Sequence, residues 1–208
     1  MQSAQSIDTD FKQYVLAQCY EALAAAGFTR FRKEGVDWPL ENGFHCWIGL
    51  NTALNNAYVE INPFVGVHVV PIEKLWTTMK KGKYPGKYSR GIATYARHMG
   101  ELAPDERVFH FTRQTDVDAE AKRLARLYVT VGLTYAKSIA SYDALLPLLQ
   151  ERSEMLGAYP ERVASCLYLM GRKDAARSFT EEFLTQYREY FEGFAAPFLQ
   201  MLARDAIH

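Results

Sequence analysis

The chain has 208 residues, of which 49% are hydrophobic and 13% aromatic. That is enough apolar material for a sizeable core, which excludes a disordered chain. Lys+Arg and Asp+Glu both number 24, so the basic excess of a general nucleic-acid binder is missing.

Residues 8 to 26 read as a first helix. Asp8, Thr9 or Asp10 can cap it, and Gly27 is placed to end it. Phe11, Val15, Cys19, Ala22, Leu23 and Ala26 share one apolar face. The small side chains at its end are expected to let it lie close to a sheet. Phe28 to Lys33 reads as a strand, and Gly35 to Gly43 as a turn-rich connection. Phe44 to Leu54 alternates, with Phe44, Cys46, Ile48 and Leu50 on one face and His45, Trp47, Gly49 and Asn51 on the other. Asn55-Asn56 suits a hairpin into a long strand from Tyr58 to Val70, where Pro63 marks a bulge or an edge.

Pro71 to Gly82 predicts a short helix with Pro at its first turn. Ile92 to Met99 and Val108 to Arg113 predict two more strands. Thr115, Asp116 and Asp118 open a helix with Leu124, Leu127, Tyr128, Val131 and Tyr135 as its buried face. A break near Ser141 starts another helix, which Pro147 kinks or delimits. Pro160 to Met170 is a helix ended by Gly171, and from Lys173 a long amphipathic helix is expected. This last pair resembles a single tetratricopeptide-type helical hairpin, without a second copy. The order predicts an α+β fold: an N-terminal helix and an antiparallel sheet of about five strands packed with helices, plus a C-terminal helical hairpin. Residues 1–150 are expected to form the α+β domain, with 151–208 packed on it as one compact unit.

Cys19, Cys46 and Cys166 are odd in number, widely spaced and set in apolar patterns. This is the thiol usage of a reducing compartment. The first residues show no secretory pattern, and no stretch approaches the ~20 apolar residues of a membrane span. The expectation is a soluble cytoplasmic protein with no membrane partner.

Catalytic motifs are missing: there is no GxSxG, phosphate loop or GxGxxG. His45 and His68 lie on strands that a hairpin would pair, and with Glu60 they offer two imidazoles and a carboxylate to a metal. No HxH, HExxH or CxxC sharpens this, and ordinary core or surface histidines are the simpler reading, so no cofactor is expected. Lys80, Lys81, Lys83, Lys87 and Arg90 alternate with Tyr84 and Tyr88 in a loop suited to single-stranded nucleic acid. A solvated loop is the simpler account. On the last helix Glu181, Glu182, Glu189 and Glu192 fall within an arc of about 100°. They form either a solvated face or a docking surface for a cationic partner. Glu34, Asp37, Trp38 and Glu41 make a second acidic candidate, with an aromatic anchor.

The stretches AAAGFTRFRKEG and ATYARHMGELAP, the latter leading into an aromatic strand and a capped helix, resemble the uncharacterised bacterial family called domain of unknown function 4304. The resemblance spans roughly residues 10 to 150 and consists of apolar layout. It brings no catalytic residues. It implies a small α+β protein of immunity type, which binds and occludes one toxin domain. The expected function is therefore non-enzymatic: a cognate toxin or effector domain is bound through Glu34, Asp37, Trp38, Glu41, Glu181, Glu182, Glu189 and Glu192. A metal-assisted enzyme and a nucleic-acid accessory protein are the alternatives.

Overall fold

The computed structural model describes residues 7–205, except for the side chains of Lys87 and Tyr88. In chain order the elements are α1 (Thr9–Ala25), β1 (Thr29–Arg32), β2 (Gly35–Pro39), β3 (Phe44–Leu54), β4 (Val59–Val69), α2 (Val70–Met79), β5 (Tyr95–His98) and β6 (Phe109–Phe111). They continue with α3 (Val117–Leu127), α4 (Leu133–Ser138), α5 (Tyr142–Glu151), α6 (Tyr159–Leu169), α7 (Lys173–Gln186) and α8 (Arg188–Asp205). The α+β class stands. The chain divides into two compact units: one runs up to His68 and adds Lys87–Ser138, the other takes Val69–Gly86 and everything from Ile139 on. The division therefore differs from a boundary near residue 150, because α2 and α5 belong with the C-terminal helices.

The first unit is built on an antiparallel sheet in the order β1-β2-β3-β4-β5, with β6 also paired to β4. Six strands replace the expected five because Gly35–Pro39, read as a turn, is a strand. Asp37 pairs with Trp47, and Trp38 with Cys46. β4 serves two partners on one edge: Val59–Ile61 face β6, and Phe64–Val67 face β5. Pro63 lies at the changeover, where a residue without an N–H costs no ladder bond.

α1 and α3 pack together, capped by Asp8 and Asp116 through the N–H groups of Phe11 and Ala119. α1 buries Phe11, Val15, Leu16, Cys19, Tyr20 and Leu23. Its alanine tail does not seat on the sheet as expected: Ala25 is exposed, and Ala22 and Ala26 are half-buried. Between α3 and α4 the helix takes one π turn, Tyr128–Gly132. The wider turn advances the buried face, so Gly132, Leu133 and Ala136 are inside while the expected Val131 and Tyr135 are only half-buried. Tyr128 is fully buried, and its hydroxyl donates to the Gly49 and Phe64 carbonyls at 3.0 and 3.1 Å. Tyr128→Phe leaves both carbonyls without this donor and is expected to cost about 1–3 kcal/mol. Urea unfolding at an unchanged slope measures it.

In the second unit α6 is the central helix. Every residue from Pro160 to Leu167 is buried, with α2, α5, α7 and α8 around it. Gly171, at φ 75°, turns the chain into α7. The expected single long helix after Lys173 is two, broken at Tyr187 (φ −129°, ψ 46°). Aromatic packing explains the break. In a straight helix Phe183 and Phe191 would be about 12 Å apart along the axis, yet their rings meet at 5.0 Å. The bend gathers them with Phe194 and Phe198 into one cluster. Among the described residues no helix is long and apolar enough to cross a membrane.

Candidate functional site

Two features in separate units hold the chemistry. The first is a buried polar cluster on the sheet. Period-two alternation puts Asp37 and Trp38 on opposite faces of β2. Trp38 covers Gly27 and sits edge-on to Phe28, 5.4 Å away. Asp37, only 1% exposed, faces the other way. Its Oδ2 accepts from Arg90 Nη1 at 3.1 Å and lies 3.0 Å from His45 Nδ1, without hydrogen-bond alignment to the ring. Its Oδ1 has no partner among the described residues. His68 is fully buried. Its Nδ1 is 2.8 Å from the Ile92 carbonyl and its Nε2 3.3 Å from Ser89 Oγ. A carbonyl only accepts, so neutral His68 carries its proton on Nδ1 and accepts from Ser89 at Nε2. This bond fastens the 3₁₀ segment Gly86–Gly91 over β4.

The rings of His45 and His68 approach to 6.3 Å, as the hairpin reading expects. Glu60 does not join them: it accepts from Asn62 and pairs with His110 at 3.3 Å. Among the described residues no three His, Cys, Asp or Glu side chains converge as metal ligands. His98 caps the turn Met99–Glu101.

Thus the acidic candidate at 34–41 does not form one surface. Asp37 is inside the cluster, Trp38 is packed on Phe28, Glu34 is half-buried, and Glu41 alone is exposed on its 3₁₀ turn. The basic loop is divided as well. Lys80 Nζ lies 3.3 Å from the fully buried Glu161 Oε1, and Arg90 serves Asp37. The side chains of Lys87 and Tyr88 lie outside the described residues.

The second feature lies at the elbow of α7 and α8. Glu181, Glu182, Glu189 and Glu192 are all exposed, on two helices instead of one. Glu192 pairs with Arg188 at 3.4 Å. Glu182 lines a cleft of about 210 Å³ with Glu154, Phe179 and Phe183. The two phenyl rings are stacked at 5.7 Å. Glu154 comes from a turn before α6 that holds Leu156 at φ 60° and Ala158 at φ 71°, conformations side chains rarely adopt. The Tyr190 hydroxyl accepts the Ala158 N–H at 2.8 Å and keeps that turn in place. It leaves Met155 70% exposed beside Glu154. No protein family, curated protein or solved structure matches the chain.

Sequence reasoning found Glu182 and missed Glu154, Met155 and Phe179, because nothing in periodicity brings the turn at Glu154 onto a helix face that begins some twenty-five residues downstream at Phe179. The thiols behave as expected of buried hydrophobes. Burial, reinforced for Cys46 by the Asp37 carboxylate, pushes Cys19, Cys46 and Cys166 up to about 12. At pH 8 only about one thiol in ten thousand is then a thiolate. A disulfide reagent is expected to find no fast-reacting cysteine in the native protein, and all three after denaturation.

Proposed function

We propose that the chain is a non-enzymatic binding protein of the cytoplasm that docks on a cationic face of another protein and covers it, as an immunity protein covers a toxin domain. The observation that carries this reading is the cleft between α7 and the Ser153–Met155 turn. Carboxylates from Glu154 and Glu182 share it with the rings of Phe179 and Phe183. Carboxylate and aromatic face together suit a guanidinium or ammonium group, which binds the first by charge and the second by cation–π attraction. Met155 beside it supplies the flexible apolar contact that interfaces favour. The strained turn beneath supports the same reading. Left-handed side chains cost about 1–3 kcal/mol each and persist where the surroundings over-determine them. The exposed Glu181, Glu189 and Glu192 add long-range attraction for a basic partner.

The buried cluster around Asp37 and His68 fits a structural role in this reading, since its hydrogen bonds hold the Gly86–Gly91 segment to the sheet. The test is co-expression with a toxic product of the adjacent gene. The wild-type chain is expected to restore growth and to co-elute with that product. Glu154→Lys with Glu182→Lys is expected to abolish both at unchanged thermal stability. Undiminished protection by that double variant, and by Glu181→Lys with Glu189→Lys and Glu192→Lys, would overturn the reading.

A further inference from the structure

The strongest unassigned surface is in the first unit, far in sequence from the acidic elbow. A groove of about 570 Å³ runs between α1 and the stretch α3 to Thr130. Its floor is apolar and small: Ala22 and Ala25 from α1, its C-cap Ala26, Ala125 from α3, and Val129. The positions on α1 follow i, i+3, i+4, so they form one stripe. Val129 stands in the π turn and is 37% exposed, while its neighbour Tyr128 is fully buried and tied to the sheet carbonyls. π turns inside helices concentrate at functional positions, and this one delivers a bare valine to the groove.

The rim carries opposite charges on its two walls. Glu21 stands on the α1 side, and Lys122 and Arg126 stand on the α3 side. Asp118, also on the α3 wall, is taken by Lys122 at 2.6 Å. One wall is therefore acidic and the other net basic. Such a groove complements a copy of itself. If two chains meet across a two-fold axis, α1 of each lies in the groove of the other. Alanine then meets alanine at the axis, where small side chains let helices approach closely. Each Glu21 then faces Lys122 and Arg126 of the second copy. A two-fold contact uses one patch twice, so the patch must be self-complementary, and an acidic wall beside a basic one satisfies that.

We infer that the α1/α3 groove is a self-association surface whose occupant is α1 of a second copy of this chain. The inference is independent of the partner proposed for the acidic elbow, and its test uses the purified chain alone.

Sedimentation velocity up to about 100 µM protomer is expected to show a monomer–dimer equilibrium. Ala25→Arg fills the groove from an exposed helix position and is expected to leave a monomer with unchanged helicity. Glu21→Lys places like charges across the contact twice and is expected to weaken the dimer about tenfold or more. The triple variant Glu21→Lys, Lys122→Glu, Arg126→Glu exchanges the two walls and is expected to regain the dimer, an outcome no folding defect imitates. A chain that remains monomeric over this range overturns the inference and leaves the groove to a helix of another protein. A dimer indifferent to Ala25→Arg, or one lost equally in Glu21→Lys and the wall-exchanged variant, overturns it as well.

Discussion

Arg162→Met is expected to lower the unfolding free energy by about 3–5 kcal/mol, the usual cost of removing one member of a buried ion pair. Arg162 lies on the one helix of the second unit that is buried along its whole middle, Pro160 to Leu167. An arginine there must be paired. Its Nε and Nη2 donate to the two carboxylate oxygens of Glu73 on α2 at 2.8 and 3.4 Å. Both side chains are under a tenth exposed. Methionine matches the aliphatic stem but takes the guanidinium partner from the buried Glu73 carboxylate. The rings of Trp76 and Tyr159, each 5.9 Å from the guanidinium, also lose their cation. The double variant Glu73→Leu with Arg162→Met removes both charges and is expected to recover most of the loss, because an apolar pair of similar volume is often neutral or stabilising. Denaturant unfolding of the wild type, both single variants and the double variant completes the cycle. A single variant within about 0.5 kcal/mol of the wild type would mean the pair contributes little.

This pair shows where the sequence was legible and where it was not. The spacing of Leu145, Leu146 and Leu149, the Ser141 cap and Gly171 all announce helices and their ends, and each is local information. Nothing local to Glu161 and Arg162 in the sequence marks them as buried. What buries them is the return of α2, which lies about ninety residues earlier in the chain, and no window on the sequence contains both. The same limit hid β2. Gly35, Pro39, Asn42 and Gly43 are turn formers, and they outweighed the alternation of Val36, Asp37 and Trp38, although the ladder to Cys46 and Trp47 decides the segment.

The candidate sites divide in the same way. Exposure of Glu181, Glu182, Glu189 and Glu192 followed from amphipathicity alone. Their supposed common helix did not, because ring packing at Phe183 and Phe191 stabilises a bend more than helix continuity stabilises a straight run. The proximity of His45 and His68 was visible from strand pairing. Their actual partners, Ser89 and the Ile92 carbonyl for His68 and Asp37 beside His45, depend on where an irregular segment crosses the sheet. The π turn at Tyr128–Gly132 left no trace in composition, yet it shifted one face of a helix and set Val129 in the groove.

Gly66→Ala tests how firmly the sheet holds that buried cluster, and the expected loss is about 3 kcal/mol or more, above most overpacking substitutions. Gly66 pairs with Ala96 across β4 and β5. A Cβ at Gly66 would stand 1.9 Å from the Tyr95 carbonyl oxygen and 2.6 Å from the Ala96 Cα. These are backbone atoms, so no rotamer change relieves the clash and β5 must move off β4. Thr94 follows, since its N–H bonds to the Val67 carbonyl at 2.8 Å. Ile92, two residues further back, carries the carbonyl that orients His68. The displacement is therefore expected to loosen the Ser89–His68 contact as well as the strand pair. Amide exchange at Thr94 and Ala96 is expected to quicken more than exchange in β2 or β3. Gly193→Ala is the control: nothing lies within 4 Å of its Cβ position on α8, and alanine there is expected to stabilise by up to about 1 kcal/mol through helix propensity. If Gly66→Ala unfolds with the wild type, β4 and β5 have the freedom to separate, and the cluster is held by the Gly86–Gly91 segment instead of the sheet.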